Sequence, residues 1–313
     1  MIRTVLGDID ASELGVCYAH EHIIIDPSVA ILRYPDFCLE SVENATAELI
    51  QFRVDGGSAM VDSMPCDAGR NVIKLAEISK RSGVHILCPT GLHLAKYYDL
   101  GHWGNHYSAG QIAQLFIDDI EQGIDRWDYS GPLIERTPHR AGLIKVATGG
   151  PEIDDRERKV FEAAALAHVQ TGAPILTHCE QGEGALEQAE LLGGLGVDLS
   201  KVVLSHTDRK PDFAYHREVL STGVRLEYDS AFRWKGEENP TLGLLLELIA
   251  EFPDQLMLGM DAARPDYWKS YGGSPGMSYL LNEFSTRLKV GGVSAAHWQR
   301  LFVANPAAAY DFR

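Results

Sequence analysis

Short apolar, β-branched runs alternate with amphipathic stretches along the whole chain. Eight runs have strand character, at residues 16–22, 59–64, 84–90, 143–148, 174–179, 202–206, 224–229 and 256–261. Helical patterns separate them. Residues 71–81 place Val72, Leu75, Ala76 and Ile78 on one face, with Gly83 as a stop. Residues 154–170 begin acidic, carry Val160, Phe161, Ala164 and Leu166, and end before Gly172. Eight such units without a linker or repeat predict an α/β fold, a closed (β/α)8 TIM barrel formed as one domain over residues 1–313. A doubly wound parallel sheet is the alternative.

Two connections break the pattern. Residues 91–110 hold His93, Tyr97, Tyr98, His102, Trp103, His106 and Tyr107, an aromatic loop after the third strand that suits a pocket wall or lid. Residues 123–141, with Trp127, Tyr129, Pro132 and Pro138, precede a strand. That position predicts the opposite, stability face of a barrel, in a packing or subunit-contact role.

Composition narrows the function. Lys+Arg of 28 against Asp+Glu of 44 gives a formal charge of −16, which argues against nucleic acid or an anionic membrane as partner. An anionic small-molecule substrate would need a local basic pocket. No apolar run approaches the ~18 residues of a membrane span, and residues 1–8 lack the apolar core of a signal peptide. A soluble, cytoplasmic protein is therefore expected. Five cysteines without a CxxC pair suggest neither a disulfide framework nor a thiolate zinc site.

The candidate chemistry sits at strand ends. On one strand, the i and i+2 side chains of His20 and His22 point the same way, and paired imidazoles can share a metal ion. The fifth strand ends in His178, the sixth in His206 and the eighth in Asp261. Any one of these is ordinarily a hydrogen-bonding residue, but the carboxyl ends of barrel strands converge on one face, where barrel enzymes place their chemistry. Lys145 lies within the fourth strand, and a buried ammonium must be paired or neutralised. Reaction with carbon dioxide would convert it to a carbamate able to bridge two cations. A lysine that snorkels to solvent is the plainer alternative.

His20-x-His22, Lys145, His178, His206 and Asp261, in that order on strands one, four, five, six and eight, resemble the amidohydrolase superfamily, specifically its phosphotriesterase-related branch. The likeness extends to residues 61–65, to Gly69-Arg70-Asn71 and to Asn305-Pro306. It implies a binuclear centre at the C-terminal face of the strands, with two divalent ions, zinc foremost and manganese or cobalt as alternatives. His20, His22 and Asp261 would bind one ion, and His178 and His206 the other. N6-carboxylated Lys145 and a hydroxide would bridge them, and Asp261 would take the catalytic proton. The implied reaction is hydrolysis by attack of that hydroxide. Relatives of this kind commonly form homodimers.

Specificity is expected from the loops after strands seven and eight. Arg233, Arg264 and Tyr267 form a candidate anion clamp, with Lys235 as rival to Arg233. The alternative is a set of solvated cations paired with Glu237, Glu238 or Asp266. The clamp resembles that of phosphotriesterase-like lactonases acting on phosphorylated sugar lactones. Lactonases for acyl-homoserine lactones carry an Arg directly after the strand-seven Asp, where this chain has Ser230. A phosphorylated aldono-1,4-lactone is thus the expected substrate. The alternatives are another lactone, an organophosphate triester, or a ligand held without turnover by a metal-stabilised barrel.

Overall fold

A computed structural model describes residues 1–236 and 238–312. The expected barrel is present. Its strands are β1 (Cys17–Glu21), β2 (Ala59–Asp62), β3 in two parts (His85–Leu87 and Pro89–Gly91), β4 (Leu143–Thr148), β5 (Ile175–Cys179), β6 (Val202–Ser205), β7 (Arg225–Tyr228) and β8 (Leu256–Leu258). All neighbouring pairs are parallel. The first part of β3 pairs with β2 and the second with β4, so the strand changes partners across Cys88. Pro89, which has no N–H to donate, stands at that break. The ring closes through β8, where the N–H groups of Met260 and Asp261 donate to His20 O at 3.3 and 3.1 Å.

The helical expectations hold within a residue. Helix α1 (Val72–Ser82) is capped by Asn71, whose side chain accepts from Lys74 N, and it ends at Gly83 with φ of 70°. Helix α2 (Asp155–Thr171) starts with a reciprocal Asp154–Glu157 capping box and ends at Gly172 with φ of 75°. Side chains of Cys17, Ala19, Ala59, Val61, Leu87, Leu143, Leu176, Val203 and Met257 fill the barrel interior, with Tyr310 beneath them. Tyr310 donates to Ala19 O at 2.8 Å. A larger apolar layer joins the outer strand faces to the helices.

The insert at 123–141 departs from expectation. Its base does lie at the amino side, where His139 Nδ1 meets Val5 O at 2.7 Å. Its tip, however, reaches the carboxyl side: Asp128 accepts from Asp67 N at 2.7 Å and from Arg70 Nε at 2.7 Å, both beyond the end of β2. Arg70 also pairs with buried Asp119, which receives Arg136 as well. A charge network that cannot be read from local pattern folds the insert along the barrel wall.

Candidate metal centre

Strand ends gather the expected ligands, but by less regular backbone than simple alternation. Cys17 and Ala19 pack inside the barrel, and alternation would send Glu21 inward next. The β1–β2 register shifts between Tyr18 and Glu21, so His20 and His22 line the cavity. Glu21, fully buried, accepts instead from the backbone of Met260 at 2.7 Å and Ala262 at 3.3 Å. It thereby pins both sides of Asp261. His22, His206 and Asp261 all lie just past their strands, a correction to the longer runs expected there. His206 and Asp261 have left-handed backbone, with φ of 65° and 47°. Such conformations cost roughly 1–3 kcal/mol in a non-glycine residue and persist where surrounding contacts hold them.

The geometry converges on shared points. Asp261 Oδ1 lies 3.3 Å from His22 Nε2 and 3.7 Å from His20 Nε2. These three residues offer ligand atoms all within 4.8 Å of one another, as do His20, His206, Glu227 and Asp229. The His20 ring is 4.7 Å from that of His206, which is 4.5 Å from that of His178. His178 belongs to neither group of ligand atoms, although its ring packs against that of His206.

Outer contacts fix the rings. His20 Nδ1 meets Ser205 Oγ at 2.8 Å, His206 Nδ1 meets Asp229, and His178 Nε2 meets Glu180 at 3.0 Å. Each ring keeps one nitrogen free for a cation, the arrangement typical of metal-binding histidines. Burial lowers the pKa of His20, His178 and His206, the last to about 3, so these imidazoles are neutral at neutral pH. Burial opposes ionisation of Asp261 and Asp229. Asp261 is nonetheless held well below the carboxylate range by His22, Arg233, His206 and Arg209, and Asp229 by His206 and Arg209.

Lys145 carries the fit. Its Nζ is buried with no hydrogen-bond partner among the described residues, and burial outweighs the pull of Asp261 and Glu227 to bring its pKa down to about 8. An amine that gives up its proton more readily than an ordinary lysine, beside the imidazole cluster, suits the carbamate chemistry expected of it. The donor set, neutral nitrogens with one ionised carboxylate, suits divalent transition-metal ions.

A cavity of about 410 Å³ opens above this centre and includes all three clamp candidates, Arg233, Arg264 and Tyr267, on its wall. Arg233 is engaged: it donates to Asp261 Oδ2 at 2.9 Å and sits over the Phe232 and Tyr267 rings at 4.7 and 5.3 Å. Arg264 lies over the Phe37 ring at 4.8 Å and has no carboxylate partner among the described residues. Lys235 is exposed and lies outside the cavity lining. Glu237 lies outside the described residues. Of the aromatic loop 91–110, His93, Lys96 and Tyr97 reach the cavity, whereas Tyr98 and His102 are buried beside Trp103.

Sequence reasoning assigned no role to Arg209, Glu180 or Glu227. Arg209 follows His206 by three residues and donates to Asp261 Oδ2 at 2.7 Å and Asp229 at 3.2 Å. Glu180 follows His178 by two, a spacing that could have flagged it. Glu227 alternates inward on β7 to within 3.7 Å of His20 Nδ1, and neither of its oxygens has a hydrogen-bond partner among the described residues.

Comparison with known proteins agrees with this geometry. The family model "Phosphotriesterase family" matches residues 1–310. A phospho-furanose lactonase from Mycoplasmopsis synoviae is 34% identical, over 99% of this chain and 91% of its own length. The structure of a lactonase from Listeria monocytogenes superposes with a TM-score of 0.92 at 30% identity, covering 100% of this chain and 99% of that one. A phosphotriesterase homology protein from Escherichia coli, solved with phosphate in its active site, gives 0.86 at 29% identity, over 96% and 99% of the two chains. A continuous match of family, sequence and barrel places this chain in the phosphotriesterase family, whose members carry a binuclear divalent metal centre.

Proposed function

We propose that this protein is a metal-dependent hydrolase that opens the lactone ring of a phosphorylated sugar, an aldono-1,4-lactone. The observation that carries the reading is Arg264, a cation on the same cavity wall as the imidazole cluster and without a carboxylate partner among the described residues. The phospho-furanose lactonase among the relatives and the phosphate held by the Escherichia coli protein support it.

His20, His22 and Asp261 would hold one cation, and His178 and His206 the other. Lys145 would serve both after its neutral amine adds to carbon dioxide and releases a proton. Bound there, a pair of divalent ions, zinc foremost, lowers the pKa of water and polarises a carbonyl oxygen. The chain's own part is positioning and proton transfer. Asp261 Oδ1, nearest the imidazoles, accepts the proton of the attacking water and returns it to the ring oxygen as the acyl–oxygen bond breaks. Arg209 and Arg233 hold the other carboxylate oxygen and so orient the first. Arg264 and Tyr267 bind the phosphate, with Arg233 rather than Lys235 as the third donor.

The test compares kcat/KM on 1,4-lactones with and without a terminal phosphate, followed by a pH indicator. A preference of at least tenfold for the phosphorylated form is expected. Equal rates on both would remove the clamp from the account.

A further inference from the structure

Three of the four clustered histidines have a side-chain partner on the nitrogen that faces away from the centre, but those partners differ in accessibility. Ser205 and Asp229 are fully buried. Glu180, the partner of His178, stands on the cavity wall with 28% of its side chain exposed. Its Oε2 accepts from His178 Nε2 at 3.0 Å and from Lys96 Nζ at 3.3 Å. Lys96 belongs to the loop after β3, lines the same cavity and sits 5.3 Å from the centroid of the Tyr97 ring. Tyr97 packs on His93, and His93 on His178, at ring separations of 4.6 and 5.0 Å.

This chain of contacts parallels the one behind His206, where Asp229 receives both the imidazole and Arg209. In each case a carboxylate sits between a histidine and a cation. A carboxylate on the outer nitrogen fixes the ring's orientation and raises its basicity toward a metal. The inner relay is sealed in the barrel, whereas the outer one ends at a lysine that anything entering the cavity will meet.

We propose that Glu180 is a positioning residue for the ion held by His178 and His206. By occupying His178 Nε2 it leaves Nδ1 to face the cation, and Lys96 keeps Glu180 in that place. Among the described residues Asp261 and His22 have no hydrogen bond or ion pair to Glu180 or Lys96, so any effect on the other ion is indirect, through the shared Lys145. The assignment rests on the two-ion reading above.

Metal binding itself provides the test. Metal-free full-length protein is titrated with cobalt(II) in bicarbonate buffer, and each ion is followed by its visible absorption and by competition with a chromophoric chelator. Wild-type protein should bind two ions. Glu180→Ala should weaken one of them by about 10- to 100-fold and leave the other within about twofold. Glu180→Gln, which keeps an acceptor oxygen for His178, should lie between the two, and Lys96→Met should weaken the same ion by less than Glu180→Ala. Unfolding midpoints measured alongside should stay near wild type, since Glu180 is partly exposed. Two ions bound by Glu180→Ala with wild-type affinities would overturn the assignment and leave the two-ion reading intact. Equal weakening of both ions with a lowered midpoint would also overturn it, as a merely structural effect. Fewer than two ions in the wild type would overturn the two-ion reading and the assignment with it.

Discussion

Replacement of Glu21 by Ala isolates how the barrel closure holds Asp261. Glu21 is fully buried and accepts from Met260 N at 2.7 Å and Ala262 N at 3.3 Å, the residues on either side of Asp261. Alanine leaves Ala262 N without its acceptor, and Met260 N with only the 3.3 Å bond to His20 O. A buried donor left unsatisfied costs about 1–3 kcal/mol, and a weakened one about 1 kcal/mol more, giving roughly 2–4 kcal/mol in all. For a chain of this size that is a fall of about 3–6 °C in unfolding midpoint. Glu21→Gln keeps one acceptor oxygen and should cost about half as much. The functional effect should exceed the stability effect, because Asp261 is held at φ of 47° and relaxes once its flanking amides are free. Thermal unfolding by circular dichroism and cobalt(II) titration, run on the same samples, separate the two. An alanine variant that melts within about 1 °C of wild type and binds both ions unchanged would show that Glu21 does not hold Asp261 in place.

Other perturbations read separate parts of the structure. Arg264→Met removes a charge-assisted contact of about 1.5–3 kcal/mol, so KM for a phosphorylated lactone should rise about 10- to 100-fold with both ions retained, as steady-state kinetics and metal analysis would report. Lys145, buried with its pKa lowered to about 8, binds fewer protons when folded than when unfolded between pH 8 and 10.5. Metal-free protein in buffer without carbon dioxide should therefore gain stability as pH rises through that window, and Lys145→Met should abolish the gain, measured by unfolding midpoint. Arg70→Met leaves Asp128 without its guanidinium partner and the buried carboxylate Asp119 with Arg136 as its remaining cation. It should cost about 3–5 kcal/mol and open the 123–141 insert to limited proteolysis. Glu48 accepts from Ser270 N and Met277 N, both in the loop that carries Arg264 and Tyr267. Glu48→Ala should raise KM for a phosphorylated lactone more than for its unphosphorylated counterpart.

The parts of the site legible in the sequence were those fixed by strand periodicity. His20, His22, His178, His206 and Asp261 each sit at a place where a β-run meets the carboxyl face, and Lys145 lies within its run, so their convergence follows once eight strands are counted. Interactions made between strands were not legible. Glu21 reads as an outward neighbour of two histidines, and only the register shift beside Tyr18 and the closure against β8 reveal what it holds. Arg233 reads as a free loop cation, yet the left-handed turn at Asp261 brings that carboxylate back to meet it. The 123–141 insert reads as belonging to one face because local sequence gives its starting point. The buried ion pair from Arg70 to Asp128 that determines where its tip lies comes from a residue far from it in the chain.

Stepwise reconstitution reads the number of ions and the hydrolysis of a phosphorylated lactone in one experiment. Metal-free protein in bicarbonate receives zero to three equivalents of zinc, and hydrolysis of a phosphorylated 1,4-lactone is followed at each step. The rate should climb to a plateau at two equivalents per chain. A plateau at one equivalent, or no hydrolysis at two, would contradict the account.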